Sequence, residues 1–268
     1  MPEVRIDPFT GMVVHVVGTR QTRPNLPSSG CPFCVGGIEA PDPYDVRWFT
    51  NRWPAMDGER CEVVLYTPEH DATFSSLGLD GARRVIDLWA DRTASLGGRE
   101  DVDYVLVFEN RGPEVGATIA HPHGQIYAYD HVPRRQASRI AGGWKPDTDP
   151  GDRLVAALDG WSAWVPHAPT FPVAIEIAPS EPQHDLPSMP PADRDALGAL
   201  LIDVLARLDR LSGDPLPYML WLNQRPTVDD GYDDVWFNVE IVSPFRSAGV
   251  QRFIAGAEVA SEEYFNPV

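Results

Sequence analysis

The stretch His121-Pro122-His123-Gly124-Gln125 constrains this chain most strongly when it is read together with Cys31-Pro32-Phe33-Cys34, far upstream. One motif offers an imidazole suited to act as a nucleophile, and the other a pair of thiols suited to hold zinc. A fold that serves both has to bring the cysteine segment to the strand that carries the histidines.

The two histidines are read as projecting to opposite sides of an extended segment, so that they do not share one metal ion. With His121 turned to the cysteines and His123 to a substrate, a metal would fix the backbone from which the second imidazole projects, where small displacements are costly to catalysis. Gln125 returns to the substrate face of His123, and its amide can donate to a phosphoryl oxygen.

The 268 residues suffice for one large domain or two modest ones, and 43% hydrophobic residues, 10% of the chain being aromatic, supply a buried core. The chain has no apolar run of membrane-spanning length, and MPEVRIDPFTG has neither a basic nor an apolar leader region, so a cytoplasmic location is expected. A net charge of −17 and a scarcity of lysine argue against nucleic-acid binding through a general basic surface, while a small phosphorylated ligand needs only a few local donors. Three cysteines, two of them in C-x-x-C, favour metal or redox chemistry over structural cross-links.

Residues 1–60 read as a loop-rich wrapping segment with strand-like pieces at Met12 to Val17 and Val46 to Asn51. Glu62 to Thr67 reads as a buried strand, Leu79 to Leu96 as a helix through the spacing of Ala82, Val85, Ile86, Leu88 and Trp89, and Tyr104 to Asn110 as a further strand. Arg134 to Pro150, polar and rich in Gly and Pro, reads as a connection. The order then repeats: strands at Ala163 to Pro166 and Val173 to Ala178, a helix at Pro191 to Leu211 with Asp193 placed to help cap it, and strands at Tyr218 to Asn223 and Val235 to Val242. The expectation is an α+β fold of two related halves, 1–140 and 151–268, with a mainly antiparallel sheet and flanking helices.

Each motif also has a plain structural reading. The cysteine pair lies in a Pro/Gly-rich loop rather than between a strand and a helix, which favours metal over a thioredoxin-like redox site, with two unliganded thiols as the alternative. Structural zinc takes four ligands, and of seven histidines His70 and His121 are the best candidates. H-x-H can be hydrogen-bonded structure, and the glycines after Phe108-Glu109-Asn110 an ordinary turn. In the functional reading those glycines let backbone amides approach a phosphate.

Arg23-Pro24, CPFC at 31–34, TNRWPAM at 50–56, TPEH at 67–70, FENRG at 108–112, HPHGQIYA at 121–128, PYM at 217–219 and FRSAGVQRFIAGAE at 245–258 together resemble the galactose-1-phosphate uridylyltransferase family. That family is a branch of the histidine-triad superfamily of nucleotidyltransferases and nucleotide hydrolases. The resemblance implies a histidine-triad-like fold and a ping-pong transfer of a nucleoside monophosphate, UMP by default, from a nucleotide sugar to a sugar 1-phosphate. A nucleoside diphosphate sugar phosphorylase or a nucleotide hydrolase, or a zinc-stabilised nucleotide-binding protein without catalysis, are the other readings. It implies Zn2+ on Cys31, Cys34, His70 and His121, His123 as the nucleophile that becomes uridylylated, and Gln125 holding the phosphoryl group. Phe33, Asn51, Asn110 and Thr118 match nucleoside- or phosphate-side positions, and Arg23, Arg252 and Glu258 match positions associated with the sugar phosphate, some reaching across a homodimer interface.

The chain also departs from the family's pattern. Where some members build a second metal site from one glutamate and three histidines, this sequence has Arg139, Asn223, Asn238 and Glu240, so that site is expected to be absent. Ala257 replaces an aromatic residue, and the chain ends at Val268 where longer members continue to a hexose-contacting glutamine. The resemblance therefore leaves the nucleoside, the sugar and the pathway open.

Overall fold

The computed structural model of the protein describes residues 3–22, 30–228 and 231–267. In chain order its strands and helices are β1 (Glu3–Ile6), β2 (Val13–Val16), β3 (Arg47–Thr50), β4 (Cys61–Leu65), α1 (Gly78–Gly97), β5 (Tyr104–Arg111), β6 (His123–Tyr129) and α2 (Arg134–Ala141). They continue with β7 (Leu154–Leu158), β8 (Trp161–Trp164), β9 (Val173–Pro179), α3 (Pro191–Ser212), β10 (Tyr218–Asn223), β11 (Asn238–Ser243), β12 (Phe245–Ser247), β13 (Val250–Gln251) and α4 (Gly256–Ser261). No helix among the described residues is long and apolar enough to cross a membrane.

Nine strands form one sheet in the order β3-β4-β6-β5-β10-β11-β9-β8-β7. Every pairing in it is antiparallel. The order β3-β4-β6-β5 running inward from one edge is matched by β8-β9-β11-β10 on the other side, where β7 is added as the outermost strand. The expected repeat is thus a topological one, and its halves join through the β5–β10 ladder into a single sheet. Gln125 stands opposite Phe108 and Glu240 opposite Trp221, which makes these two positions on β6 and β11 equivalent.

Both long helices lie on one face of the sheet. Val85, Ile86 and Trp89 of α1 and Leu197, Leu201 and Leu205 of α3 share a core with Val64, Val107, Ile126, Leu220 and Ile241. Each buried aliphatic side chain of this kind contributes about 1.5–3 kcal/mol. Arg92 of α1 reaches into this layer to grip Glu62 with two bonds of 2.9 and 2.7 Å, its guanidinium 3.6 Å from the Trp48 ring centroid. Asp193 does not cap α3; it accepts from the Trp161 indole at 3.3 Å, and the helix follows Pro190, which has no side chain able to cap.

The other face is covered differently in each half. Over the first half, Phe33 and Ala40 of the wrapping segment pack on Val63 and Leu65, so that β4 is buried on both sides. Over the second half lies α2, inside the stretch expected to be an irregular connection. Its inner side chains are polar and satisfy polar groups of the sheet: Gln136 bonds Asn223 at 3.3 Å, Arg135 bonds Glu240 at 2.6 Å and Arg139 bonds Glu176 at 3.1 Å. A helix held by ion pairs and amides shows no apolar stripe, which is why hydrophobic periodicity does not reveal it.

Candidate active site and metal centre

The wrapping segment brings the cysteines over the start of β6. The ligand atoms of Cys31, Cys34, His70 and His121 all lie within 4.8 Å of one another. Cys34 Sγ is 3.5 Å from His70 Nδ1 and 3.6 Å from His121 Nδ1. These separations suit tetrahedral coordination, since metal–sulfur and metal–nitrogen bonds of about 2.3 and 2.0 Å place neighbouring donors roughly 3.5 Å apart.

Hydrogen bonding prepares the His121 ring to ligate. Its Nε2 is 2.8 Å from Thr67 O, and a carbonyl only accepts, so the proton belongs on Nε2 and the lone pair on Nδ1 faces the thiols. Burial, with His70 adding to it, lowers the His121 pKa and favours that neutral ring, although the bond to Thr67 acts the other way. Burial, then the hydrogen bond and charge of Cys31, raises the pKa of Cys34. Two thiols and two imidazoles gathered this closely are a donor set that fits a dication of borderline softness. Sequence reasoning missed Tyr44, which donates to Phe33 O at 2.7 Å and lies 3.0 Å from His121 Nε2. Burial, reinforced by Cys34 and Cys31, pushes its pKa up to about 12 and keeps the hydroxyl protonated. Its one sequence signal is an aromatic residue within an otherwise polar loop.

The expected divergence of His121 and His123 has a different cause from the one inferred, because residues two apart on a single strand share a face. β6 begins only at His123, and the chain turns through Pro122, whose carbonyl accepts from Tyr66 N at 3.3 Å. His121 is therefore wholly buried beside the metal donors, while His123 lines a cavity of about 690 Å³.

Phe33, Asn51, Thr118 and Gln125 line the same cavity. The Phe33 ring meets the His123 ring edge-on, their centroids 5.1 Å apart. His123 Nδ1 lies 2.8 Å from the His121 carbonyl, which again assigns the proton: Nδ1 donates, and the ring's lone pair lies on Nε2. His121 thus serves the cluster with its ring and His123 with its backbone. Asn51 accepts from Trp53 N at 2.9 Å, closing the turn that forms one wall.

Three other expected residues stand apart from the cavity lining. Asn110 lies on β5 opposite Met219. Arg252 and Glu258 are buried and paired with each other, and Glu258 also accepts from Ala255 N at 2.8 Å and Phe265 N at 3.0 Å, pinning the C-terminal segment. Arg23 falls outside the described residues. Glu109 is buried beneath the sheet, accepting from the Tyr218 hydroxyl at 2.7 Å, and burial pushes its pKa up to about 7.

Gly124 is glycine for a steric reason. A Cβ there would lie 2.2 Å from Tyr66 Oη and 3.1 Å from Phe108 O. Tyr66 cannot retreat, because it packs edge-on against Phe74 at 5.8 Å and Trp89 at 5.7 Å. Gly124→Ala is expected to cost about 1–3 kcal/mol through overpacking and to reduce activity by shifting the two flanking side chains. Adding Tyr66→Phe removes the obstructing oxygen and should restore much of both in melting and turnover assays. A Gly124→Ala variant as stable and active as the parent would show that the contact is not tight.

Residues 45–133 match the family model described as galactose-1-phosphate uridyl transferase, N-terminal domain. A galactose-1-phosphate uridylyltransferase of Thermotoga maritima is 30% identical, with 100% of this chain and 95% of the relative aligned. One from Streptomyces lividans is 36% identical over 84% of this chain and 70% of the relative. A solved uridylyltransferase structure superposes with a TM-score of 0.88 at 25% identity, covering 100% of this chain and 94% of that one.

Proposed function

This chain belongs to the galactose-1-phosphate uridylyltransferase family, and we propose that it moves a nucleoside monophosphate, UMP by default, from a nucleotide sugar to a sugar 1-phosphate through a covalent adduct on His123. In the first displacement the Nε2 lone pair attacks the α-phosphorus; a P–N bond forms, and the P–O bond to the departing sugar phosphate breaks with its electron pair going to that oxygen. In the second, an oxygen of the incoming sugar 1-phosphate attacks the same phosphorus and the imidazole leaves with the N–P pair. No proton need move at Nε2 in either step, because Nδ1 keeps its hydrogen on the His121 carbonyl. The Gln125 amide donates to the transferring phosphoryl group, whose transition state spreads charge over its equatorial oxygens.

The observation that carries this reading is the His123 Nδ1 contact with the His121 carbonyl, which turns Nε2 to the reaction, at the wall of a cavity large enough for a nucleotide. Cys31, Cys34, His70 and His121 hold zinc in this reading. Bound there, the metal cross-links the wrapping segment to the start of β6 and so steadies the carbonyl that orients His123. Intact-mass measurement after mixing with a panel of nucleotide sugars tests the proposal: a stable mass gain equal to one nucleoside monophosphate is expected, and its size names the nucleotide. Release that requires only water, or inorganic phosphate, would reassign the acceptor.

The working assembly in this reading is a homodimer. Ile6 and Phe9 of the β1–β2 hairpin are 66% and 94% exposed, and Phe253 and Val259 near the C-terminus are 76% and 72% exposed, and in this reading a second copy covers such side chains. Light scattering at micromolar concentration should report twice the chain mass of 29.6 kDa; the single-chain mass would contradict it.

A further inference from the structure

We propose that the second half holds a separate pocket for a nucleobase, formed between α2 and the strands β10 and β11 and marked by Asn238. A cavity of about 340 Å³ opens there, walled by the indoles of Trp144 and Trp236 and floored by the amides of Asn223 and Asn238. It lies on the same face of the sheet as the nucleophile's cavity, since Glu240 is equivalent to Gln125 and Asn238, like His123, stands two residues earlier.

Asn238 is wholly buried, and neither its Oδ1 nor its Nδ2 has a hydrogen-bond partner among the described residues. A buried carboxamide with neither group satisfied is costly unless a ligand or ordered water completes it. The surrounding polar groups are already engaged. Asn223 donates to Glu240 at 2.8 Å and accepts from Gln136 at 3.3 Å, and Gln224 donates to Val105 O at 3.0 Å. The carboxylates of Glu176 and Glu240 are paired with Arg139 and Arg135, so the floor beside Asn238 is balanced in charge, while Lys145 and Asp234 of the lining meet away from it, the exposed Lys145 donating to the Asp234 carbonyl at 2.8 Å and lying 5.6 Å from the Trp236 ring centroid.

What the floor presents is the donor and the acceptor of Asn238 side by side, between the indoles of Trp144 and Trp236. Arg139 lies 4.6 Å from the Trp144 ring centroid and holds that indole in place. The complementary ligand is a planar, uncharged ring with an adjacent acceptor and donor along one edge, the pattern that lets a carboxamide bind a base with two bonds. Stacking on aromatic side chains supplies the rest.

Calorimetry on the full chain with uridine, cytidine, adenosine and guanosine, accompanied by crystals soaked with each, tests this. At least one nucleoside should bind at two sites per chain, one of them with its base edge on Asn238. Asn238→Leu, nearly the same shape, should bind one nucleoside per chain, keep its nucleotidyl-transfer turnover and melt no lower than the parent. Trp144→Leu, at a half-buried wall position, should weaken the second site by about 10-fold or more through lost stacking. A single site for all four nucleosides, two sites retained in Asn238→Leu, or only ordered water on Asn238 in the soaked crystals would overturn the proposal.

Discussion

His123→Ala is expected to leave a folded protein that forms no nucleotide adduct and turns over at least about 10⁴-fold more slowly, the scale seen when a covalent nucleophile is removed. The fold should persist because the sheet pairing of β6 with β4 and β5 is made by the backbone, which the substitution leaves intact. The loss should fall on kcat rather than on nucleotide binding, since Phe33, Asn51 and Gln125 still wall the cavity. Mass spectrometry of the parent and the variant after the same nucleotide-sugar challenge reads the adduct directly, and circular dichroism checks the fold. Ordinary turnover in the variant would place the nucleophile elsewhere and remove the covalent mechanism.

Cys34→Ala should lower metal content and thermal stability together. Its thiol faces both imidazoles of the cluster, so its loss leaves three donors and only Cys31 to join the wrapping segment to the two histidine-bearing segments. The expected cost is on the order of several kcal/mol, a large part of a typical domain's stability. Activity should fall as well, because the His121 backbone that orients the nucleophile loses its anchor. A chelator should lower the melting temperature of the parent and barely change that of the variant. Elemental analysis giving well under one zinc per chain in freshly purified parent protein, with melting unaffected by chelator, would reduce the cluster to hydrogen-bonded thiols.

The parts of this fold legible from sequence are those whose signal is local. α1 and α3 bury one stripe each against the sheet, and the recurrence of Val85, Ile86 and Trp89, or of Leu197, Leu201 and Leu205, records that stripe directly. β10 is legible at its observed bounds, Tyr218–Asn223, for the same kind of reason. α2 is not, because it packs polar groups on polar groups, and neither the pairing of Gln136 with Asn223 nor that of Arg139 with Glu176 leaves a periodic trace. The site divides similarly. C-x-x-C and H-x-H single out candidate metal-binding and reactive residues in the sequence, whereas Tyr44 and Tyr66 matter only through what lies beside them in space.

Taken alone, the amino-acid order determined that this is an α+β protein with a repeated strand–helix–strand pattern, and it singled out Cys31, Cys34, His70 and His121 as candidate metal ligands and His123 with Gln125 as candidate reactive residues. The elements follow from short-range spacing and the candidates from residue type and local motifs, which the chain carries without folding. The tertiary structure decided which way each imidazole points and which nitrogen holds its proton, because both depend on the carbonyls of Thr67 and His121 meeting those rings. It also decided why position 124 has no side chain and where Asn238 is left unpaired, since a close approach or an orphaned amide exists only once segments distant in sequence are packed against each other.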